Sequence, residues 1–324
     1  MRALVFEEPH QAAVREMDVP SIAGDEVLVR SRNVGICHSD FELYEGRYII
    51  PVAYPIIPGH EWSGEIADVG ADVTTLREGD RVVGECVVNN GDDHFGFSIS
   101  GADAEYFVAK ASWLHRIPDE LSFAQGAFVE PFSVAYNAAV AAGGIDASDE
   151  VAVIGGGPIG LLCVMAAATM GATVTLIEPQ EHRRELGLDV GAARTIDPGA
   201  GPLVDQVHEA TRGRGFDVVI EAAGAPAAMA SAFPIAAHSA RIVLVGIDVG
   251  GSAPVEIGLV QSKALQVRGI IGSAGLWPRT IRFMATSGVD PTPLLSATFP
   301  LGDGTAALDA ARDTSRNVKV QIEC

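Results

Sequence analysis

Two short stretches of this 324-residue chain carry side chains with metal-ligand chemistry. Gly35-Ile36-Cys37-His38-Ser39-Asp40 contributes a thiol, and Gly59-His60-Glu61 adds an imidazole and a carboxylate. Thiolate, imidazole and carboxylate are ligand types that bind zinc. Further along, Val151-Ala152-Val153-Ile154-Gly155-Gly156-Gly157-Pro158-Ile159-Gly160 has the glycine spacing of a dinucleotide-binding turn. A metal that polarises an oxygen, together with a cofactor that accepts hydride, is the equipment for oxidising an alcohol.

The glycine turn needs a strand before it and a helix after it, and the pattern supplies both. Residues 151–154 are apolar and largely β-branched, as in a buried parallel strand. Gly155 permits the tight turn, Gly157 lets the backbone approach a pyrophosphate, and Gly160 allows close helix–strand packing. Pro158 suits a first helical turn, where its missing N–H costs nothing. The helix N-terminus then faces the phosphates. Glu178 follows Gly160 by eighteen residues, at the end of a second apolar strand over 173–177. That is near the roughly twenty expected of a carboxylate that binds the adenosine ribose. Its charge repels a 2′-phosphate, which favours NAD over NADP, although Arg183 and Arg184 lie close by and soften that preference.

From residue 151 onward strand and helix patterns alternate. Strands are expected over 151–154, 173–177, 194–196, 217–221, 241–245 and 266–270, with helices over 159–170, 181–188 and 202–211. Six such strands with helical crossovers predict a doubly wound parallel sheet, hence an α/β fold. Residues 1–110 read instead as β-rich, with strands expected over 1–6, 26–33, 64–69, 81–86 and 104–108, followed by an Ala-rich helical stretch over 122–142. The final fifty or so residues are of mixed character.

A chain of this length accommodates two domains. The formal charge of −20 excludes nucleic acid and anionic membranes as partners, since both demand basic patches. Cys37, Cys86, Cys163 and Cys324 are too scattered for a disulfide framework, and a reducing cytoplasm fits. The apolar run over 151–170 is interrupted by glycines and a proline and reads as strand–turn–helix rather than a membrane span. Glu130, in Phe128-Val129-Glu130-Pro131-Phe132-Ser133, lies in an otherwise apolar stretch. A charge there needs a partner, either a metal or the N-terminal dipole of a helix.

Taken together, Gly59-His60-Glu61-Trp62-Ser63-Gly64-Glu65, Gly35–Asp40 and Glu130-Pro131-Phe132-Ser133 resemble motifs of the zinc-containing medium-chain dehydrogenases, within their polyol and threonine dehydrogenase branch. The resemblance covers essentially the whole chain. It implies a GroES-like β-rich catalytic domain over 1–132, completed by 271–324, and a Rossmann NAD-binding domain over 133–270. It implies one catalytic zinc on Cys37 and His60, with Glu61 and Glu130 as the remaining ligands, directly or through water. Ser39 would bond the substrate hydroxyl and relay its proton, and Asp40 would orient His60 from behind. Lys319 would approach the cofactor pyrophosphate, and Val245, Gly246 and Ile247 would lie along the nicotinamide. His38, Gly155, Gly157, Pro158, Ile159, Gly160, Glu178 and Arg183 complete the implied cofactor set.

Two departures from the family pattern stand out. The region 84–101, where many members carry four zinc-binding cysteines, holds only Cys86, so no structural zinc is expected; Asp92, Asp93 and His94 there read as a solvated loop. The proton relay usually ends in a histidine, but Glu42 occupies that position, leaving either Glu42 or water as the acceptor. The implied substrate is a secondary alcohol of a polyol, sugar or aminocyclitol, and Glu42, Glu45 and Asp92 would suit a cationic amine. The product would be the ketone, and the expected state a homodimer or homotetramer. The competing readings are a zinc-free quinone or enone reductase and a non-catalytic nucleotide-binding protein of the same fold.

Overall fold

Val27, Val29 and Val34 are fully buried, and the strand that carries them, Glu26–Gly35, organises the first of two units in the computed structural model. That unit comprises Met1–Glu130 and Trp277–Cys324; the second is Pro131–Leu276. The structure describes residues 1–324 except Ile49, Val249 and Ala274.

In the first unit the described residues form a seven-stranded sheet. Its order is Leu295–Pro300, Lys319–Glu323, Glu26–Gly35, Glu61–Val69, Arg81–Gly84, Leu114–Arg116, and Tyr106–Lys110 also pairs with Glu26–Gly35. An N-terminal hairpin, Arg2–Glu8 with Gln11–Glu16, lies outside it. The register matters for chemistry. Gly35 pairs with Glu61 on one side and with Gln321 on the other. Three segments distant in sequence therefore meet at one end of three adjacent strands. The strand expected to begin at Gly64 begins at Glu61, because Glu61, Trp62 and Ser63 pair with Gly35, Val34 and Asn33. Gly64 is needed within it, since a Cβ there would lie 2.6 Å from the Arg30 carbonyl oxygen.

Two apolar clusters fill this unit. One gathers Leu4, Phe6, Phe41, Leu43, Phe97 and Ile322; the other gathers Val27, Val29, Trp62, Phe95 and Phe107. The helix His38–Tyr44 buries Phe41 and Leu43 into the first cluster.

The second unit holds six parallel strands among the described residues. Their order is Arg194–Ile196, Thr173–Ile177, Glu150–Ile154, Phe216–Glu221, Ala236–Leu244, Gln266–Gly269. In chain order this is 3-2-1-4-5-6, the doubly wound arrangement. The order reverses between Glu150–Ile154 and Phe216–Glu221, and crevices beyond the carboxyl ends of strands at such a point take ligands. Val151, Ala152 and Val153 are fully buried, and the helix Pro158–Thr169 buries most of its residues, which explains why Thr169, at its end, is its one polar side chain. No described helix is long and apolar enough to cross a membrane.

Candidate active site

Cys37 lies two residues past the end of Glu26–Gly35 and is the N-cap of the helix His38–Tyr44. Its backbone N–H donates to the Asp40 carboxylate at 2.8 Å, which fixes the turn. Gly59, at φ +95°, allows the chain to enter Glu61–Val69 with His60 turned inward. A Cβ on Gly59 would fall 2.8 Å from Val34 and 2.9 Å from Asp103. Ligand atoms of Cys37, His60 and Glu61 all lie within 4.8 Å of one another, the one such group of three metal-ligand side chains among the described residues. Gly35 makes this possible, because any side chain there would collide with the Glu61 carboxylate at 2.4 Å.

The electrostatics fit a cation. His60 Nδ1 faces Asp40 Oδ1 at 3.4 Å, and both atoms are buried without a hydrogen bond. A carboxylate behind one imidazole nitrogen is the arrangement that orients the other toward a metal. Burial alone would push the His60 imidazole down, but Asp40 and Cys37 reverse that and hold it well above its ordinary value. Glu61 is ion-paired with Lys319, whose Nζ also donates to the Ile36 carbonyl at 3.1 Å. The Lys319 ammonium is buried, which opposes its charge; Glu61 more than compensates and raises it. Glu130 is half-exposed by surface area yet densely surrounded. Burial raises its carboxyl to about 7, opposed by His60 and reinforced by Glu61. Glu130 lies outside the group of three; the Cys37 sulfur, the His60 imidazole and the Glu61 carboxylate form a donor set suited to zinc.

The remaining expected residues distribute as follows. Ser39 is half-buried in the first turn of His38–Tyr44, and Glu42, three residues on, shares its helical face. His38 is exposed. Asp93 and His94 form half of a two-stranded hairpin with Val87–Val88, where Asp93 accepts a hydrogen bond from Asn89 at 2.6 Å. Sequence reasoning missed three neighbours of the site. Cys86 feels His60, Glu130 and Cys37, and burial pushes its thiol up to about 12, so it stays protonated. Phe97 packs against the His60 ring at 4.6 Å, and Tyr48 stacks on Phe97 at 4.3 Å. The only signal for them was the pair of aromatics Phe95 and Phe97 in an otherwise polar loop.

In the second unit, Gly155 adopts φ +100° directly after Glu150–Ile154. Gly160 lies so close that a Cβ would meet the Gly155 carbonyl oxygen at 1.9 Å. Gly157, the N-cap, has nothing within 4 Å of a Cβ position, and Pro158 opens the helix, followed by Ile159. An open cradle at uncapped helical N–H groups suits a pyrophosphate. Glu178 is buried, accepting from the Gly156 N–H at 2.6 Å and the Gln180 N–H at 2.8 Å. Arg183 packs its Cβ near Gly156, while Arg184 donates to the carbonyls of Glu178 and Pro179. The N–H groups of Val245 and Gly246 donate to the Glu221 carbonyl, and Ile247 is exposed beyond them. Glu221 is itself buried, with one carboxyl oxygen on the N–H groups of Ala223 and Gly224.

Comparison with known proteins agrees with this chemistry. Residues 158–286 match the zinc-binding dehydrogenase family, and residues 23–119 match the alcohol dehydrogenase GroES-like domain. The chain is 34% identical to a putative D-xylulose reductase of Agrobacterium fabrum, with 99% of each chain covered. It is 31% identical to sorbitol dehydrogenase of Bacillus subtilis, over 96% of this chain and 93% of that one. Among solved structures, a putative zinc-binding dehydrogenase of Sinorhizobium meliloti bound to NADP superposes with a TM-score of 0.92 at 28% identity, covering 100% of this chain and 99% of that one.

The two glycines of the turn make separable demands. Gly160→Ala meets backbone and is expected to lower the melting temperature as well as dinucleotide affinity. Gly157→Ala meets nothing in the protein and is expected to weaken dinucleotide binding at least about tenfold, the equivalent of 1.4 kcal/mol, with little change in melting temperature. Titration of nucleotide against intrinsic fluorescence, beside a thermal melt, reads both. Undiminished binding by Gly157→Ala would place the pyrophosphate elsewhere.

Proposed function

The chain belongs to the zinc-containing medium-chain dehydrogenases, in their polyol dehydrogenase-like branch, and from that membership we propose that it oxidises a secondary alcohol of a polyol, sugar or aminocyclitol to the ketone, with NAD and one zinc ion per subunit. The observation that carries this reading is the convergence of Cys37, His60 and Glu61 within 4.8 Å, backed by Asp40 and Lys319.

Cys37, His60 and Glu61 would hold the zinc, with Glu130 as a further donor, directly or through water. When bound, the zinc supplies Lewis-acid polarisation and the nicotinamide supplies a hydride acceptor. The protein's own groups do the rest. Asp40 holds the His60 ring in orientation through Nδ1, leaving Nε2 as the ligand nitrogen. Ser39, on the turn that presents Cys37, takes the substrate hydroxyl proton. Glu42, on the same helical face, or water receives it next. Phe97 and the protonated Cys86 keep the wall beside His60 free of competing charge.

Glu178 supports NAD over NADP. Its carboxylate is anchored by two backbone N–H groups, so a 2′-phosphate would meet a charge that cannot easily swing away. A relative at 28% identity is described with NADP bound, so the preference in this chain rests on Glu178 itself. Self-association is supported by the strand Gln266–Gly269, which is the sheet edge and exposed throughout. Ile271 is 85% exposed and Ile257 71%, and an open apolar edge is a template for pairing with a second copy.

Three outcomes test these proposals. Elemental analysis is expected to find one zinc per subunit, lost with activity in Cys37→Ala and kept in Cys86→Ala; Ser39→Ala should keep the zinc yet slow turnover by roughly 10²–10⁴-fold, the usual worth of general acid–base assistance. A reproducible second equivalent of zinc, or full activity in Ser39→Ala, overturns the corresponding role. Glu178→Gln keeps an acceptor for Gly156 but removes the charge, and NADH or NADPH absorbance should show relative use of NADP rising; a wild type that already prefers NADP contradicts the assignment. Light scattering should find a dimer or larger that Val267→Asp with Ile271→Asp reduces to monomer, and a monomeric wild type refutes the edge contact.

A further inference from the structure

Tyr48 stacks face to face on Phe97, with ring centroids 4.3 Å apart and planes 8° from parallel. Phe97 is buried, and its ring also lies 4.6 Å from the ring of His60. The Phe97 N–H is bonded to the His94 carbonyl at 3.0 Å, so the loop that presents this ring is itself held. The phenol is thus fixed two ring contacts from a candidate metal ligand. Cys86, His60, Cys37 and Asp40 lie near enough to act on this phenol electrostatically.

That hydroxyl is uncommitted. Tyr44 and Tyr54 donate theirs to the carbonyls of His10 and Leu43, and Tyr106 accepts from Arg30. The Tyr48 hydroxyl has no hydrogen-bond partner among the described residues. Stacking on Phe97 would be served equally well by phenylalanine, and the half-buried hydroxyl is left available to a ligand. Burial pushes its pKa upward, so it remains a neutral donor at any working pH.

We propose that Tyr48 recognises a second hydroxyl of the substrate, next to the carbinol that is oxidised, and so selects vicinal diols and polyols over simple secondary alcohols. The proposal rests on the dehydrogenase reading above and deepens it by naming a specificity-determining residue. A polyol presents a hydroxyl on the carbon adjoining the reacting one, where a mono-alcohol presents only hydrogen. A protein hydroxyl that bonds a substrate hydroxyl discriminates against the analogue that lacks it, because that interaction is then lost.

The test pairs butane-2,3-diol with butan-2-ol on the zinc-loaded enzyme, wild type and Tyr48→Phe. Phenylalanine keeps the stack on Phe97 and removes one oxygen. Wild type is expected to favour the diol in kcat/KM. In Tyr48→Phe the KM for the diol should rise about three- to tenfold, the range for one neutral hydrogen bond, with kcat and the butan-2-ol kinetics nearly unchanged. Calorimetric titration of the diol, without turnover, should show the same factor in Kd. Equal losses for both alcohols, no change for either, or a wild type indifferent to the second hydroxyl overturns the assignment. A wild type that oxidises neither alcohol overturns the dehydrogenase reading instead, and the calorimetric comparison still decides the role of Tyr48.

Discussion

The β-rich unit depends on one buried ion pair, Glu61 with Lys319. Glu61 and Lys319 are both buried, and an isolated charge of either sign there would cost several kcal/mol. Their pairing, with the Ile36 carbonyl as a second acceptor for Lys319, removes that penalty. It also ties the final strand to the strand that leads into Cys37. Yet one lysine does not balance the group. Asp40 faces His60, and the carboxyl groups of Asp103 and Glu130 act electrostatically on the same imidazole. Burial raises the Glu130 carboxyl to about 7, and Glu61 adds to that rise. A divalent cation is the charge that makes up the difference, and bound cations are often the largest local charges in such sites.

The dinucleotide unit solves a related problem with backbone instead of side chains. Glu178 and Glu221 sit at the ends of Thr173–Ile177 and Phe216–Glu221, where each strand opens into a loop. Each accepts from backbone N–H groups a few residues away in space: Gly156 and Gln180 for the first, Ala223 and Gly224 for the second. The loop after Glu150–Ile154 is thereby pinned to the end of the neighbouring strand Thr173–Ile177, and the loop after Phe216–Glu221 to its own strand. Glycine permits the resulting approach of chain to chain. A Cβ on Gly246 would stand 2.1 Å from the Gly224 nitrogen, as one on Gly160 would stand 1.9 Å from the Gly155 oxygen. The glycine spacing is therefore a packing requirement as much as a ligand requirement.

This division explains what was legible from sequence. The parallel sheet was, because its strands are short apolar runs whose partners follow at regular intervals. Thr173–Ile177 and Arg194–Ile196 have the expected limits, and Phe216–Glu221 begins one residue early. Cys37, His60 and Glu61 stood out because their residue types are rare together on glycine-flanked turns. The association of Lys319 with Glu61 was not legible. It arises from a strand pairing across the length of the chain, and no local pattern records that Gln321 opposes Gly35. Nor was the early start of Glu61–Val69, since a buried carboxylate at a strand's first position runs against strand propensity and is tolerated only for its ion pair.

The short loop between Arg81–Gly84 and Tyr106–Lys110 carries the same logic further. Its aromatic side chains pack it against the rest of the unit. Phe95 inserts among Trp62 and Phe107, with ring centroids 5.9 and 5.4 Å away, and Phe97 turns the other way onto Tyr48 and His60. Gly96, at φ +83°, lets consecutive aromatics point to opposite sides, and its own Cβ position is 3.1 Å from the Gly59 backbone. The loop is thus part of the wall beside His60. Its conformation is set by the same buried rings that hold the imidazole, so a change of shape in this loop is transmitted to the site through two aromatic contacts.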